Sequence, residues 1–296
     1  MPSTVKRKIQ TNRSASASQL LNFNPNSYLE RTSRPIYAIV FLAPLIVLYE
    51  VGTILVNTDT LRHCENRVVA FVWLKYLAQF VGFEDRTSFA VLPLLVLLVL
   101  AGFQLASRKK WHVDFVDTVP MAGECALLSI PLVALGMLLS RQPQAAETAV
   151  AHGSPQALAG YSSIGPSSGH GLMGQIVTGI GAGIYEEFIF RLVFICLLMI
   201  LFQNLLGIKH TAAAVASILI SSALFSAYHH IDILPLQSGM RAVDPFTWPK
   251  FIFRTLAGVY FAGLFTFRGF GITAGTHAFY DILVALMKAD MFVRGQ

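Results

Sequence analysis

Long apolar runs separated by short polar stretches dominate the chain. They cover about 35–56, 89–106, 119–140, 171–206, 211–233, 251–267 and 272–287. A helix rises 1.5 Å per residue, so about 20 apolar residues cross a hydrocarbon core of roughly 30 Å. The pattern therefore predicts an all-α fold, a polytopic transmembrane helix bundle of about seven or eight spanning helices. The eighth candidate is 68–83, where Trp73, Lys75 and Tyr76 interrupt the apolar residues. It reads as an interfacial amphipathic helix. Counted as a crossing, it would invert everything downstream. The run at 171–206 is too long for one straight crossing, and Gly181 and Gly183 are candidate kink points just before Glu186.

The stretches between the runs divide the chain. Residues 1–34 are polar and predict a loosely ordered cytoplasmic tail. A loop at 141–170, rich in Gly, Ser, Ala and Pro, separates the N-terminal helices (35–170) from a second half (171–290) that carries the chemistry. No cleavable leader is evident near the terminus, so the first run serves as the membrane signal. No internal repeat is visible.

Composition supports the bilayer. Of 296 residues, 54% are hydrophobic and 13% charged, about half the roughly 25% charged residues of a soluble domain. The net charge of +6 is no mark of nucleic-acid binding here. Lys6, Arg7, Lys8, Arg13, Arg31 and Arg34 precede the first run. With seven crossings Arg108 to Lys110, Lys209 and Arg268 fall on that same side, as the positive-inside rule expects of the cytoplasm. This predicts a multi-pass protein of the cell membrane with a cytoplasmic N-terminus. Lys288 and Arg294 then lie outside. Cys64, Cys125 and Cys196 are far apart and spaced for neither a disulfide framework nor a zinc knuckle.

Ionisable groups inside membrane helices cost about 2.5–3.5 kcal/mol each on insertion scales, and so mark candidate sites. Three groups occur in the second half. In Glu186-Glu187-Phe-Ile-Phe-Arg191, Glu187 and Arg191 are four apart and share a helical face. Glu186 is turned about 100° away. One carboxylate can thus be held by the Arg while the other keeps a separate environment, the arrangement acid–base chemistry uses. In Phe225-Ser-Ala-Tyr-His229 the His ends an apolar run, and His230 is the competing candidate. In His277-Ala-Phe-Tyr-Asp281 the two polar residues again share a face, and a carboxylate can orient an imidazole. Glu50, Glu124 and Arg254 are also buried polar candidates, read as structural.

Glu-Glu-x-x-x-Arg, Phe-x-x-x-His and His-x-x-x-Asp, in this order on successive apolar helices, resemble the signature of the CAAX-protease and bacteriocin-processing enzyme family. The resemblance covers about the last 120 residues and implies an intramembrane endopeptidase. It implies that Glu186, with His229, activates a water for attack on a peptide carbonyl. His277 would stabilise the oxyanion, with Asp281 assisting or orienting it, and Glu187 and Arg191 would be supports. The family's prenyl endopeptidases carry Asn where this chain has Asp281, and an ionised acid donates no hydrogen bond. The expected partners are the lipid bilayer and a membrane-associated protein or peptide substrate, prenylated or not. A metal-free glutamate mechanism needs no cofactor. Zinc is the alternative, held then by Glu186, His229 and His277; the sequence lacks His-Glu-x-x-His.

Two other readings use the same residues. A transporter or ion channel could relay protons through them, but such proteins often show inverted repeats. A non-catalytic scaffold or immunity protein of the same fold would have little reason to keep all three motifs.

Overall fold

The computed structural model describes residues 24, 26–56, 68–140, 171–231 and 246–294. Cys64 and the loop at 141–170 lie outside the described residues, among which every regular element is helical. The ten α-helices among the described residues are numbered in chain order. The short α1 is Tyr28–Thr32, followed by α2 (Pro35–Val56), α3 (Val69–Val81), α4 (Asp85–Ser107) and α5 (Thr118–Ser140). Next comes α6 (Leu172–Glu187), which runs on through a π-helical segment Phe188–Ile195, α7 (Cys196–Ile200) and a second π segment Leu201–Leu205. The last three are α8 (His210–Tyr228), α9 (Trp248–Arg268) and α10 (Phe270–Arg294).

Among the described residues seven helical stretches are long and apolar enough to cross a membrane: Pro35–Val56, Phe89–Ser107, Phe115–Leu139, Leu172–Leu205, His210–Tyr228, Trp248–Arg268 and Phe270–Asp290. They correspond to the seven runs of the sequence, and the protein is a polytopic helix bundle. Helix α3, at 13 residues, is about 20 Å long and too short to span. Long-range contacts give the same parity. Lys109, after the second crossing, pairs with Glu30 of the N-terminal segment at 3.3 Å. Arg268, after the sixth, donates to the Leu29 carbonyl at 2.9 Å. These segments share one end of the bundle only if α3 does not cross.

Central in the bundle is α10, with 72% of its most apolar window buried, against 22–44% for the other six crossings. It packs on α5, α6, α2 and α9. Outer helices present apolar side chains such as Leu48, Ile54 and Leu94 on the exterior, the surface that hydrocarbon would cover.

Three expectations differ from what is observed. First, the last part of the predicted loose tail is ordered: Ser27 caps α1, its hydroxyl accepting from the Glu30 N–H at 3.3 Å. Second, α6 runs unbroken through Gly181 and Gly183. A Cβ at Gly181 would lie 2.2 Å from the Tyr49 ring, and one at Gly183 would lie 2.6 Å from the Ala274 carbonyl and the Ala278 N–H. The missing side chain of Gly181 leaves room for the Tyr49 ring of α2, and that of Gly183 lets the backbone of α10 approach α6. The helical irregularity instead begins after Glu187, as a π segment, a feature common at functional sites. Third, the run expected to continue to residue 233 ends as helix at Tyr228, with His229 at its C-cap.

Candidate active site

Each of the three sequence groups reaches the same place by a different local device. Glu186 and Glu187 are the last residues of α6, just before the π segment. Glu187 and Arg191 pair at 2.9 Å with no exposed side-chain surface on either. Arg191 also donates to the Gly258 carbonyl at 3.3 Å. Its guanidinium lies over the Phe225 ring at 4.3 Å, a cation–π contact strengthened by desolvation. Phe225, part of the sequence pattern, thus supports the Arg. The carbonyl of Phe190 in the π segment accepts from Ser221 of α8 at 2.7 Å, fastening α6 to α8.

His229 closes α8. Its Nδ1 donates to the Phe225 carbonyl at 2.8 Å, satisfying one of the acceptors that every helix C-terminus leaves open. That bond turns Nε2 inward, 4.0 Å from Glu186 Oε2. His230 points elsewhere: its Nε2 accepts from Arg254 at 3.3 Å, and its ring packs on Phe246. The geometry therefore brings His229, not His230, to the carboxylates. His229 thus reaches Glu186 although it stands at the end of its helix.

His277, on α10, bonds Glu187 Oε1 through Nδ1 at 2.7 Å. Its Nε2 lies 4.0 Å from Glu186 Oε2 and 3.7 Å from Asp281 Oδ2. The ring stacks on Phe261 of α9, with centroids 4.6 Å apart and planes at 16°. Glu186, Glu187, Arg191, His229, His277 and Asp281 are all at most 3% exposed.

Glu186 Oε2 is therefore equidistant from two imidazole Nε2 atoms, and it is buried with no hydrogen-bond partner among the described residues. Polar atoms 4.0 Å apart are too far for a direct hydrogen bond but suit one bridging water. The donor set suits zinc less well as it stands. A tetrahedral site with ordinary bond lengths has edges of about 3.4 Å, against 4.0 Å here. Among the described residues no three His, Cys, Asp or Glu side chains are grouped to hold a metal ion.

Sequence reasoning had assigned the site to the helices that carry Glu186, His229 and His277. The structure adds α9, through Gly258 and Phe261, and α3, through Trp73, which packs edge-on against Tyr228 at 4.8 Å. Neither helix carries a motif residue. The three other buried candidates have structural partners: Glu50 accepts from Tyr185 at 3.2 Å, Glu124 pairs with Arg268 at 2.6 Å, and Arg254 donates to His230.

A helical membrane bundle that gathers two imidazoles and three carboxylates in its interior has the groups that acid–base chemistry inside a membrane requires. The comparisons with known proteins narrow that chemistry. Residues 169–283 match the family model described as type II CAAX prenyl endopeptidase Rce1-like. Over this segment, which is less than half of the chain, the protein is similar to the CAAX-protease and bacteriocin-processing enzyme family, as the sequence motifs imply. No curated protein and no solved structure matches the chain. The transporter reading is not favoured by the family match.

Proposed function

We propose that this protein hydrolyses a peptide bond of a membrane-associated protein or peptide, prenylated substrates included, with Glu186 as the general base. The observation that carries the proposal is the buried Glu186 Oε2, 4.0 Å from Nε2 of both His229 and His277. A water at this point is held by Glu186 and by His229 Nε2, which is the acceptor nitrogen because Nδ1 donates to the Phe225 carbonyl. Glu186 removes one proton as the water oxygen attacks the carbonyl carbon. The carbonyl π pair moves to oxygen. His277, doubly protonated and held by Glu187 through Nδ1, faces the resulting oxyanion with Nε2–H. Collapse breaks the C–N bond, and Glu186 returns the proton to the leaving amine. Arg191 holds Glu187 in place through their 2.9 Å ion pair. Asp281, near His277 Nε2, orients that ring.

No step here uses a metal. Purified protein in detergent, assayed on a quenched fluorescent peptide ending in a farnesylated Cys and three further residues, tests the reading. Glu186→Ala and His229→Ala are expected to abolish cleavage, and a chelator to leave it intact. Unchanged cleavage by either variant would overturn the residue assignment, and loss with chelator restored by zinc would overturn the metal-free mechanism.

The protein sits, in this reading, in the cell membrane with its N-terminus in the cytoplasm. The support is that Arg31, Arg34, Lys109 and Arg268 gather at one end of the bundle, the distribution expected of a cytoplasmic face.

A further inference from the structure

The proposed reaction leaves one requirement thinly met. Stabilising a tetrahedral oxyanion ordinarily takes more than one preorganised donor. His277 Nε2 supplies one. One turn further on the same face of α10, Asp281 is a carboxylate, and an ionised carboxylate only accepts hydrogen bonds. Its Oδ2 lies 3.7 Å from His277 Nε2, so it competes with an oxyanion for that N–H rather than adding a donor.

Tyr228 brings a hydroxyl to the same point. It precedes His229 at the end of α8 and is 3% exposed. Its hydroxyl is 3.5 Å from Glu186 Oε1, a long contact of the kind that tightens only once a reactant is present. The ring cannot wander. Trp73 of α3 packs edge-on at 4.8 Å, Phe190 lies at 5.3 Å, and the His229 ring at 4.8 Å. An aromatic ring packed on three sides therefore aims an O–H donor, from α8, at the carboxylate that activates the water.

We propose that Tyr228 is a catalytic residue whose hydroxyl supplies the second hydrogen bond to the oxyanion, the donor that Asp281 cannot be. It rests on the reading of Glu186 as the general base. As the carbonyl oxygen gains charge, the Tyr228 O–H turns from Glu186 Oε1 to that oxygen, and no proton leaves the phenol. The motion needs only rotation about the C–O bond and a small displacement. Helix α3, which does not span the membrane, then has a part in catalysis: Trp73 holds the Tyr228 ring.

The farnesylated peptide assay tests this with four variants. Tyr228→Phe keeps the ring and its packing, and is expected to lower kcat about tenfold to a hundredfold, the range for loss of one oxyanion donor, with KM within about twofold. Asp281→Asn introduces an amide donor on the facing helix. Added to Tyr228→Phe, it is expected to restore kcat at least about fivefold, which relief of a packing defect at Tyr228 would not do. Trp73→Ala should lower kcat less than Tyr228→Phe, with an unchanged unfolding midpoint for the Phe variant as the folding control. Full kcat in Tyr228→Phe, a KM effect alone, or no rescue by Asp281→Asn would each overturn the proposal. Cleavage retained by Glu186→Gln would instead overturn the parent reading, so the two failures are told apart.

Discussion

The buried cluster around Glu186 and the ion-pair layer at the N-terminal end of the bundle use the same residue types and are completed differently. In the layer, all three nitrogens of Arg268 donate. They reach Glu124 at 2.6 and 2.7 Å, the Leu29 carbonyl at 2.9 Å and the Thr32 hydroxyl at 2.9 Å. Glu124 also accepts from Tyr28 at 2.9 Å. Arg31 grips Asp117 with two bonds of 3.0 Å. In the cluster the chain Arg191–Glu187–His277 is equally tight, at 2.9 and 2.7 Å, and then stops short. Glu186 Oε2 and the two Nε2 atoms are held 4.0 Å apart. Charges that join helices saturate each other. A group that must handle a reactant keeps capacity unspent, at a cost in stability.

Breaking the comparison at its centre should give the largest effect. Glu186→Gln is nearly isosteric and removes only the base. Cleavage of the farnesylated peptide should fall by at least about a thousandfold, while the thermal midpoint in detergent stays put or rises. A large loss of stability would mean that Glu186 is a structural group like Glu124.

Removing the support should show in stability. Glu187→Ala leaves the Arg191 guanidinium buried without its carboxylate, which costs about 3–5 kcal/mol. A lowered unfolding midpoint, together with loss of activity, is expected. Glu187→Ala/Arg191→Met removes both charges and should recover much of the stability but not the activity, because His277 loses its Nδ1 partner. Failure of the double variant to recover stability would mean that the pair does more than neutralise itself.

At the layer, Glu124→Ala should cost less, about 1–3 kcal/mol, because Arg268 keeps the Leu29 carbonyl and the Thr32 hydroxyl. Activity per folded molecule should be unchanged. A drop in kcat without a stability change would tie the layer to catalysis.

The smallest effect is a pH dependence. Burial raises the Glu30 carboxyl, but the hydrogen bonds and charges of Arg34 and Lys109 outweigh it and hold the group below its ordinary value of 4.5. Its folded pKa is thus depressed. The associated stability is present above the unfolded value and is lost as pH falls through the folded one. Wild-type midpoints should therefore decline on acidification below about pH 4.5, and Glu30→Gln should flatten part of that decline. An identical slope in the variant would show that other carboxylates govern acid stability.

The two regions also differ in how far they could be read before folding. Glu187 with Arg191, and His277 with Asp281, are four residues apart, and helical periodicity alone puts each pair on one face. The layer offered no such signal. Arg31 and Asp117 are 86 positions apart, and Arg268 and Glu124 are 144 apart. Nothing local marks such pairs, which is why residues through Arg34 read as a loose tail although Arg31 and Arg34 belong to this layer. Gly258 and Phe261 escaped notice for the same reason. A backbone carbonyl and one Phe among 22 carry no chemical mark until α9 lies against Arg191 and His277.

The sequence by itself determined the helical bundle of about seven or eight crossings, the positions of its apolar runs, and the six ionisable groups proposed for the site. Hydropathy and the helical repeat are local properties, and both are strong in a chain that must satisfy its backbone inside a bilayer. Tertiary structure decided between His229 and His230, because only the cap bond to the Phe225 carbonyl aims one imidazole inward. It also turned the glycines of α6 from expected kinks into packing surfaces, because what a missing Cβ does depends on the neighbour that fills its space. The pairing of Lys109 with Glu30 put the α3 question to rest, since two loops can touch only at the same end of the bundle.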